Sequence, residues 1–123
     1  MTSAKNIDSR IRTRIVVIES PYAAPTPEGV ARHVDYARRA VMDCVRRRES
    51  PYAGHLLLTQ VLDDKIPEQR ALGIECHLTF IRRVDALVVY QDLGISKGMQ
   101  MAIEEAQAWG VPIEHREIGE GER

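Results

Sequence analysis

Residues 85–113, DALVVYQDLGISKGMQMAIEEAQAWGVPI, decide the fold of this chain. Asp85–Tyr90 is a short apolar run rich in β-branched residues, which predicts a strand. After a loop, Ser96 is a good N-cap for a helix that runs to Trp109, and Gly110 suits the position where that helix ends. The next residues, Val-Pro-Ile, begin another strand. The stretch therefore predicts a strand, a helix and a second strand in succession.

The preceding sequence repeats this alternation. Arg14–Glu19 is a β-branched run bounded by Ser20-Pro21, and it predicts a first strand buried on both faces. Pro51–Gly54 is expected to interrupt regular structure. Apolar residues at helical spacing predict two helices. The first covers residues 28–48, and its apolar side carries Val30, Val34, Ala37, Val41, Cys44 and Val45; the second covers residues 67–83, and its inner side carries Ala71, Ile74, Leu78 and Ile81. Between them, the short apolar run His55–Leu58 predicts a strand with its exit loop. Strands that alternate with helices predict an α/β fold with a parallel sheet and helices on both faces.

The composition indicates one globular domain. The chain has 123 residues, of which 44% are hydrophobic and 28% charged. Its 17 basic and 18 acidic residues give a net charge of −1, without the basic excess typical of proteins that bind nucleic acid polymers. No apolar stretch approaches the ~20 residues of a membrane span, and Met1–Arg14 lacks the apolar core of a signal peptide. With two cysteines only, Cys44 and Cys76, we expect a cytoplasmic location.

Three segments are expected to form a binding site. In parallel α/β folds ligands bind outside the carboxyl ends of the strands. Ser20-Pro21-Tyr22 follows the first strand, His55 and the residues after it belong to the second, and Gln91–Met99 follows the third. Within the last segment, Ser96 and Gly98 stand where a helix begins, and the free backbone N–H groups of a helix N-terminus suit a phosphate. The alternative interpretation is a helix cap that binds nothing.

The spacing of histidines and cysteines does not favour a metal site. His33, His55, His77 and His115 include no His-x3-His pair, and the cysteines form no Cys-x2-Cys motif. The glycine patterns of P-loops and of dinucleotide-binding sites do not occur either. We therefore expect no metal and no cofactor.

The order of several short motifs resembles a known superfamily. The motifs are Ser20-Pro21-Tyr22-Ala23, Gly54-His55-Leu56, Leu62-Asp63-Asp64, Pro67-Glu68-x-Arg70-x-Leu72-Gly73, Asp85-x-Leu87 and Ile95-Ser96-x-Gly98-Met99. Over about residues 14–118 this series resembles small phage and bacterial members of the nucleoside 2-deoxyribosyltransferase and nucleotide N-glycosidase superfamily. The resemblance implies a flavodoxin-like (Rossmann-like) three-layer sandwich with a four- to five-stranded parallel sheet. It also implies a single deoxyribosyltransferase-like domain over residues 1–123, with tails at 1–13 and 119–123.

The resemblance further implies cleavage or exchange of the N-glycosidic bond of a nucleoside 5′-monophosphate or a nucleoside. In the superfamily a glutamate near the start of the helix after the third strand attacks the anomeric carbon, and a tyrosine from the first loop supports it. Carried over, Tyr22 is the supporting tyrosine, and Ser96 with Gly98 is the phosphate cradle. The remaining residues expected to bind substrate or phosphate are Ser20, His55, Arg70 and Met99. Arg70 alternatively pairs with Asp63 or Asp64.

The expected nucleophile position, four residues after Gly98, is Ala102, which has no nucleophilic group. Three explanations stay open: a glutamate changed to alanine to trap a substrate, a natural relative that binds a nucleotide without catalysis, or a neighbouring glutamate in the role. At about 100° per residue, Glu105 lies about 60° from position 102 around the helix and is a nearer substitute than Glu104. The leading hypothesis is an enzyme inactivated by substitution. The alternative is a non-catalytic module that binds or senses a nucleotide.

Two further expectations concern Asp92 and the assembly. Asp92 follows the third strand at its carboxyl end, so we expect it to orient the sugar or the base. Met99, Met101 and Trp109 are more apolar residues than one core face needs, and some of them are expected to pack across a two-fold axis in a homodimer or higher homo-oligomer. If the chain is phage-encoded, as the resemblance suggests, its compartment is the host cytoplasm.

Overall fold

The computed structural model describes residues 13–119, and the predicted tails at residues 1–12 and 120–123 lie outside them. These residues form four strands and four α-helices, with two of the helices between the second and the third strand. In chain order they are β1 (Ile15–Glu19), α1 (Pro27–Arg46), β2 (Ser50–Tyr52), α2 (Gly54–Leu57), α3 (Pro67–Ile81), β3 (Ala86–Tyr90), α4 (Lys97–Ala108) and β4 (Ile113–Arg116). One 3₁₀ turn, Leu58–Gln60, continues α2.

The strands form one parallel sheet in the order β2-β1-β3-β4. At the centre of this sheet, Val16 pairs with Ala86, and Glu19 pairs with Val89. All of β3 is buried, and β1 is buried from its second residue onward. Strands covered on both faces are typical of parallel sheets, because the crossover helices pack on each side. The flavodoxin-like α/β fold is therefore confirmed, with four strands in the described part of the chain.

The alternation of side chains along the strands divides the core into two layers. On one face the strand residues Val17, Leu87 and Val89 pack with residues of α3 and α4. On the other face Ile18, Val88 and neighbouring strand residues pack with α1. Glu19 lies two residues beyond Val17 and so projects towards α3 and α4. This direction places its carboxylate at the site described below.

The second strand lies earlier than the sequence predicts. β2 overlaps the stretch Pro51–Gly54, which is expected to interrupt regular structure, whereas the predicted strand His55–Leu58 is helical. β2 lies at an edge and pairs with β1. An edge strand tolerates Pro51, because only one of its sides takes part in the sheet. His55 still follows the second strand and keeps its expected position near the carboxyl ends.

Two predicted core positions are wrong. Val45 and Ala71 are both exposed. The face of α1 that meets the sheet is centred on Tyr36, Ala40 and Cys44, and Val45 is turned about 100° away from Cys44. In α3 only the last residue is fully buried, because part of the helix borders a cavity instead of the core.

The helix α4 follows the prediction closely. Ser96 is its N-cap, the helix extends through Ala108, and Gly110 has a φ of +71°, the left-handed conformation that ends many helices. Of the three apolar residues considered for a partner surface, Met99 is buried in the core, whereas Met101 and Trp109 are exposed. None of the helices within residues 13–119 has the length and apolarity needed to cross a bilayer.

A buried ion pair joins distant parts of the sheet on the α1 side. Arg116 at the end of β4 donates hydrogen bonds of 2.9 and 2.8 Å to the two carboxylate oxygens of Glu49, which precedes β2. It also donates to the hydroxyl of Tyr90 at 3.0 Å, and Arg14 donates to Glu49 at 2.8 Å. The side chains of Arg116 and Glu49 are only 5% and 7% exposed. This cluster is structural, since none of its members lines the site below.

Candidate functional site

A cavity of about 390 Å³ lies at the carboxyl ends of β1 and β3. This volume falls in the range of small-molecule sites, roughly 300–1,000 Å³. All three segments expected to meet there border it: Ser20-Pro21-Tyr22, the residues from His55 onward, and the start of α4. The α3 helix closes another side with Arg70, Ile74 and His77.

The N-terminus of α4 forms one wall of the cavity. The Ser96 hydroxyl accepts a hydrogen bond of 3.2 Å from the backbone N–H of Met99. A Cβ added at Gly98 would meet only the Ser96 Oγ, at 4.0 Å, so the backbone here is open to close approach. Lys97 also lines the cavity. Unpaired N–H groups, a helix dipole and a lysine together favour an anion on this side.

His55 and Ser20 face the cavity from α2 and from the end of β1. The His55 Nε2 and the Ser20 hydroxyl share a hydrogen bond of 2.7 Å. Burial, with a contribution from the charge of His77, lowers the pKa of His55 to about 4. The ring is therefore neutral at pH 7, and it can donate or accept a hydrogen bond without carrying charge. Tyr22 lies edge-on to this ring, with 6.5 Å between the ring centres.

Glu19 and His77 form a second polar pair at the same cavity, which the sequence analysis missed. Nε2 of His77 donates a hydrogen bond to Oε2 of Glu19. Glu19 is 6% exposed, and its burial raises the pKa of its carboxyl group, while the hydrogen bond from His77 acts in the opposite direction. The pair joins the last residue of β1 to the middle of α3.

Gly54 makes room for the His77 ring. A Cβ added at Gly54 would lie 2.7 Å from the ring nitrogen Nδ1 and 3.1 Å from the ring of Tyr52. Nδ1 is fully buried and has no hydrogen-bond partner within the described residues. His77 therefore presents only Nε2 to a polar group, and that group is Glu19.

Ala102 is 1% exposed and borders the cavity, so α4 brings no carboxylate to the position expected from the resemblance. The neighbouring glutamates do not replace it. Glu105 instead accepts a hydrogen bond of 2.6 Å from Arg82, and Glu104 is exposed beside Gln100. Neither side chain lines the cavity.

The sequence of residues 14–116 matches the family model described as "Domain of unknown function (DUF7768)". The chain belongs to the DUF7768 family. No curated protein matches its sequence. Among solved structures, this DUF7768 chain is similar to a 2-deoxyribosyltransferase from the psychrotolerant bacterium Bacillus psychrosaccharolyticus, with a TM-score of 0.62 and 17% identity over 86% of this chain and 74% of that one. The likeness establishes a shared fold.

Asp92 does not reach the cavity of the DUF7768 domain, contrary to expectation. Its carboxylate accepts a hydrogen bond of 2.5 Å from the Tyr36 hydroxyl and two more from the backbone N–H groups of Ile118 and Gly119. Burial opposes its charge, but these donors together hold the pKa of Asp92 below its ordinary value. Asp92 therefore joins α1 to the segment after β4 and does not line the cavity.

The remaining predicted residues lie at the cavity, although Met99 is only 1% exposed and packs in the core. Arg70, Ser96, Gly98 and Met99 all border the cavity. Arg70 forms no salt bridge within residues 13–119, so the expected pair with Asp63 or Asp64 is not observed. Within the same residues, no three His, Cys, Asp or Glu side chains come together in a way that could hold a metal ion.

One signal could have pointed to the missed pair. Glu19 is a charged residue at the carboxyl end of a strand predicted to be buried on both faces, and this is the edge where ligands bind. His77 carried no such signal, because its contact with Glu19 spans 58 positions of the sequence.

Proposed function

We propose that this chain binds a nucleoside 5′-monophosphate in the cavity and cleaves or exchanges its N-glycosidic bond. The supporting observation is that a single cavity is bordered by an anion-favouring helix N-terminus at Ser96–Gly98 and by the polar groups of Tyr22, Ser20 and His55. These are the segments whose motifs resemble the deoxyribosyltransferase superfamily. The fold shared with a 2-deoxyribosyltransferase supports the same class of reaction.

The cavity offers cationic side chains and backbone donors to a phosphate. Lys97 and Arg70 both line the cavity, and the first turn of α4 adds backbone N–H donors. Charge-assisted hydrogen bonds contribute on the order of 1.5–3 kcal/mol each. One such bond to the phosphate makes a 5′-monophosphate bind at least about tenfold more tightly than its nucleoside.

Calorimetry with a panel of nucleosides and their 5′-monophosphates tests this proposal, with free base measured by chromatography. Lys97→Gln should weaken binding of the monophosphate and leave binding of the nucleoside unchanged. Lys65→Gln is the matched control, since Lys65 does not line the cavity. Equal affinity for nucleoside and monophosphate would contradict the phosphate assignment, and no binding by either would contradict the function.

The second candidate is a nucleotide-binding module without catalysis. The buried Ala102 favours it, because the expected nucleophile position carries a methyl group packed in an apolar cluster. Ala102→Glu distinguishes the two candidates. If a monophosphate binds, but neither the natural chain nor this variant releases its base, the module is the better description.

A further inference from the structure

The cavity has two acidic side chains, and only one of them is buried. Asp64 is exposed, whereas Glu19 is 6% exposed and lies at the end of β1. Removing a carboxylate from water is costly unless it is paired. The other buried positions of β1 carry apolar side chains that pack in the two core layers. If position 19 had only a structural role, an apolar side chain there would therefore cost less free energy than the glutamate.

One oxygen of Glu19 accepts a hydrogen bond, and the other accepts none from the residues that the structure describes. Oε2 accepts the hydrogen bond from His77. Oε1 has no hydrogen-bond partner within residues 13–119, and it is not among the fully buried unpaired polar atoms, which are His77 Nδ1 and Arg116 Nε. Glu19 itself borders the cavity, so Oε1 is the oxygen available to a ligand there.

The partner of Glu19 is itself fixed in place. His77 stacks at 28° and 6.3 Å on Tyr52, and its ring occupies space that a side chain at Gly54 would fill. With Nδ1 covered, the ring cannot reach a ligand through that atom. His77 thus acts through Glu19, by holding Oε2 and leaving Oε1 without a partner among the described residues.

We propose that Glu19 is the catalytic carboxylate of this site, supplied from β1 in place of the nucleophile that Ala102 on α4 does not provide, and that His77 is its positioning residue. This inference rests on the proposed function. It changes the expectation for the natural chain from an inactive enzyme to an active one.

The step is a double displacement at the anomeric carbon. Oε1 of Glu19 attacks C1′ while the C1′–N bond breaks, and the bonding electrons leave with the base, which takes a proton from water. Water then attacks C1′ of the glycosyl ester, the carboxylate leaves with its electrons, and the water's proton returns to solvent. The products are the free base and the sugar 5′-phosphate, and a second base in place of water gives exchange. In its ionised form Glu19 also stabilises the oxocarbenium-like transition state through its charge.

The experiment compares base release by the natural chain, Glu19→Gln and Glu104→Gln, with whichever monophosphate binds in the calorimetric panel. Glu104→Gln is the matched control, because that side chain is exposed outside the cavity. Glu19→Gln should lower the rate by on the order of 10⁴-fold or more, by analogy with other nucleophiles, and still bind the monophosphate. Glu104→Gln should release base at the natural rate.

A second measurement does not depend on the folding of a variant. The natural chain incubated with a 2′-deoxy-2′-fluoro nucleoside monophosphate should accumulate a glycosyl ester, which mass spectrometry locates on the peptide that contains Glu19.

His77→Gln should move the acidic limb of the pH–rate profile to higher pH, because Glu19 loses the donor that favours its charge. The other titratable groups that line the cavity, unchanged in this variant, are Tyr22, His55, Asp64, Arg70 and Lys97.

The possible outcomes distinguish a failure of this inference from a failure of the proposed function. If a monophosphate binds but the natural chain releases no base, Glu19 is not a nucleophile, although the nucleotide site stands. If base is released equally by Glu19→Gln, or if the ester forms on another residue, the assignment of Glu19 is overturned while the activity remains. If no nucleoside or monophosphate binds, the proposed function fails and this inference fails with it.

Discussion

The buried pair of Glu49 and Arg116 predicts how the stability of the protein depends on pH. The hydrogen bonds from Arg116 are the main reason why the pKa of Glu49 falls from an ordinary 4.5 to about 2; burial opposes the shift, and Arg14 reinforces it. Because this pKa is lower in the folded than in the unfolded chain, ionised Glu49 stabilises the fold. The contribution is complete above about pH 4.5, shrinks as the pH falls below that value, and is gone below about pH 2.

The size of the contribution follows from the shift. One pKa unit corresponds to about 1.4 kcal/mol, so Glu49 contributes about 3 kcal/mol at pH 7. A domain of this kind is stable by roughly 5–15 kcal/mol, so this is a large share. Glu49→Gln removes the charge and leaves Arg116 buried without a carboxylate partner, which is the costly way to break such a pair.

Urea unfolding followed by circular dichroism at several values between about pH 7 and pH 2.5 measures the effect. Other carboxylates also titrate in this range, so the informative quantity is the difference in unfolding free energy between the natural chain and Glu49→Gln. That difference should be largest at pH 7 and should shrink by about 3 kcal/mol towards pH 2. Glu104→Gln, an exposed control, should show a small difference that hardly varies. A difference for Glu49→Gln that stays constant over the whole range would refute the reasoning.

Three further predictions concern the site and the assembly. Gly98→Ala should leave the unfolding free energy unchanged or slightly raised, because the new Cβ meets nothing closer than 4.0 Å. The same variant should weaken monophosphate binding in calorimetry, and an unchanged affinity would contradict a phosphate over this turn. Gly54→Ala, whose Cβ would lie 2.7 Å from Nδ1 of His77, should lower the unfolding free energy by about 1–3 kcal/mol in urea, and a negligible loss would show that the ring is free to move. With Met101 and Trp109 42% and 58% exposed, light scattering should give a homo-oligomer at micromolar concentration; a monomer would contradict the expected partner surface.

The parts of the fold that follow from local sequence could be predicted. β1 and β3 are β-branched runs, and α4 carries its own start and stop signals at Ser96 and Gly110, so neighbouring residues suffice to define them. β2 could not be found in this way. It has three residues, one of them Pro51, and it is a strand only because it pairs with β1 at the edge of the sheet.

Some features of the candidate site likewise follow from the sequence, and others do not. The segments that meet at the cavity follow from the order of the elements, because parallel strands bring their carboxyl ends to one edge. The hydrogen-bond partners do not follow, since they depend on side chains far apart in sequence. Asp92 is held by Tyr36, 56 positions away, so it does not border the cavity, contrary to the expectation. Glu19 was overlooked because His77, which makes its burial tolerable, comes from another helix.

The geometry also explains why an alanine at position 102 and a glutamate at position 19 suit each other. Ala102 and Val17 belong to one apolar cluster, and Glu19 continues β1 on the same face two residues beyond Val17. A carboxylate at position 102 would therefore face the same cavity as Glu19, where two like charges raise each other's pKa. One nucleophilic carboxylate is sufficient for a double displacement. A site of this shape thus favours a carboxylate on β1 or on α4 over a carboxylate on both, and in this chain the buried one lies on β1, with His77 as its partner.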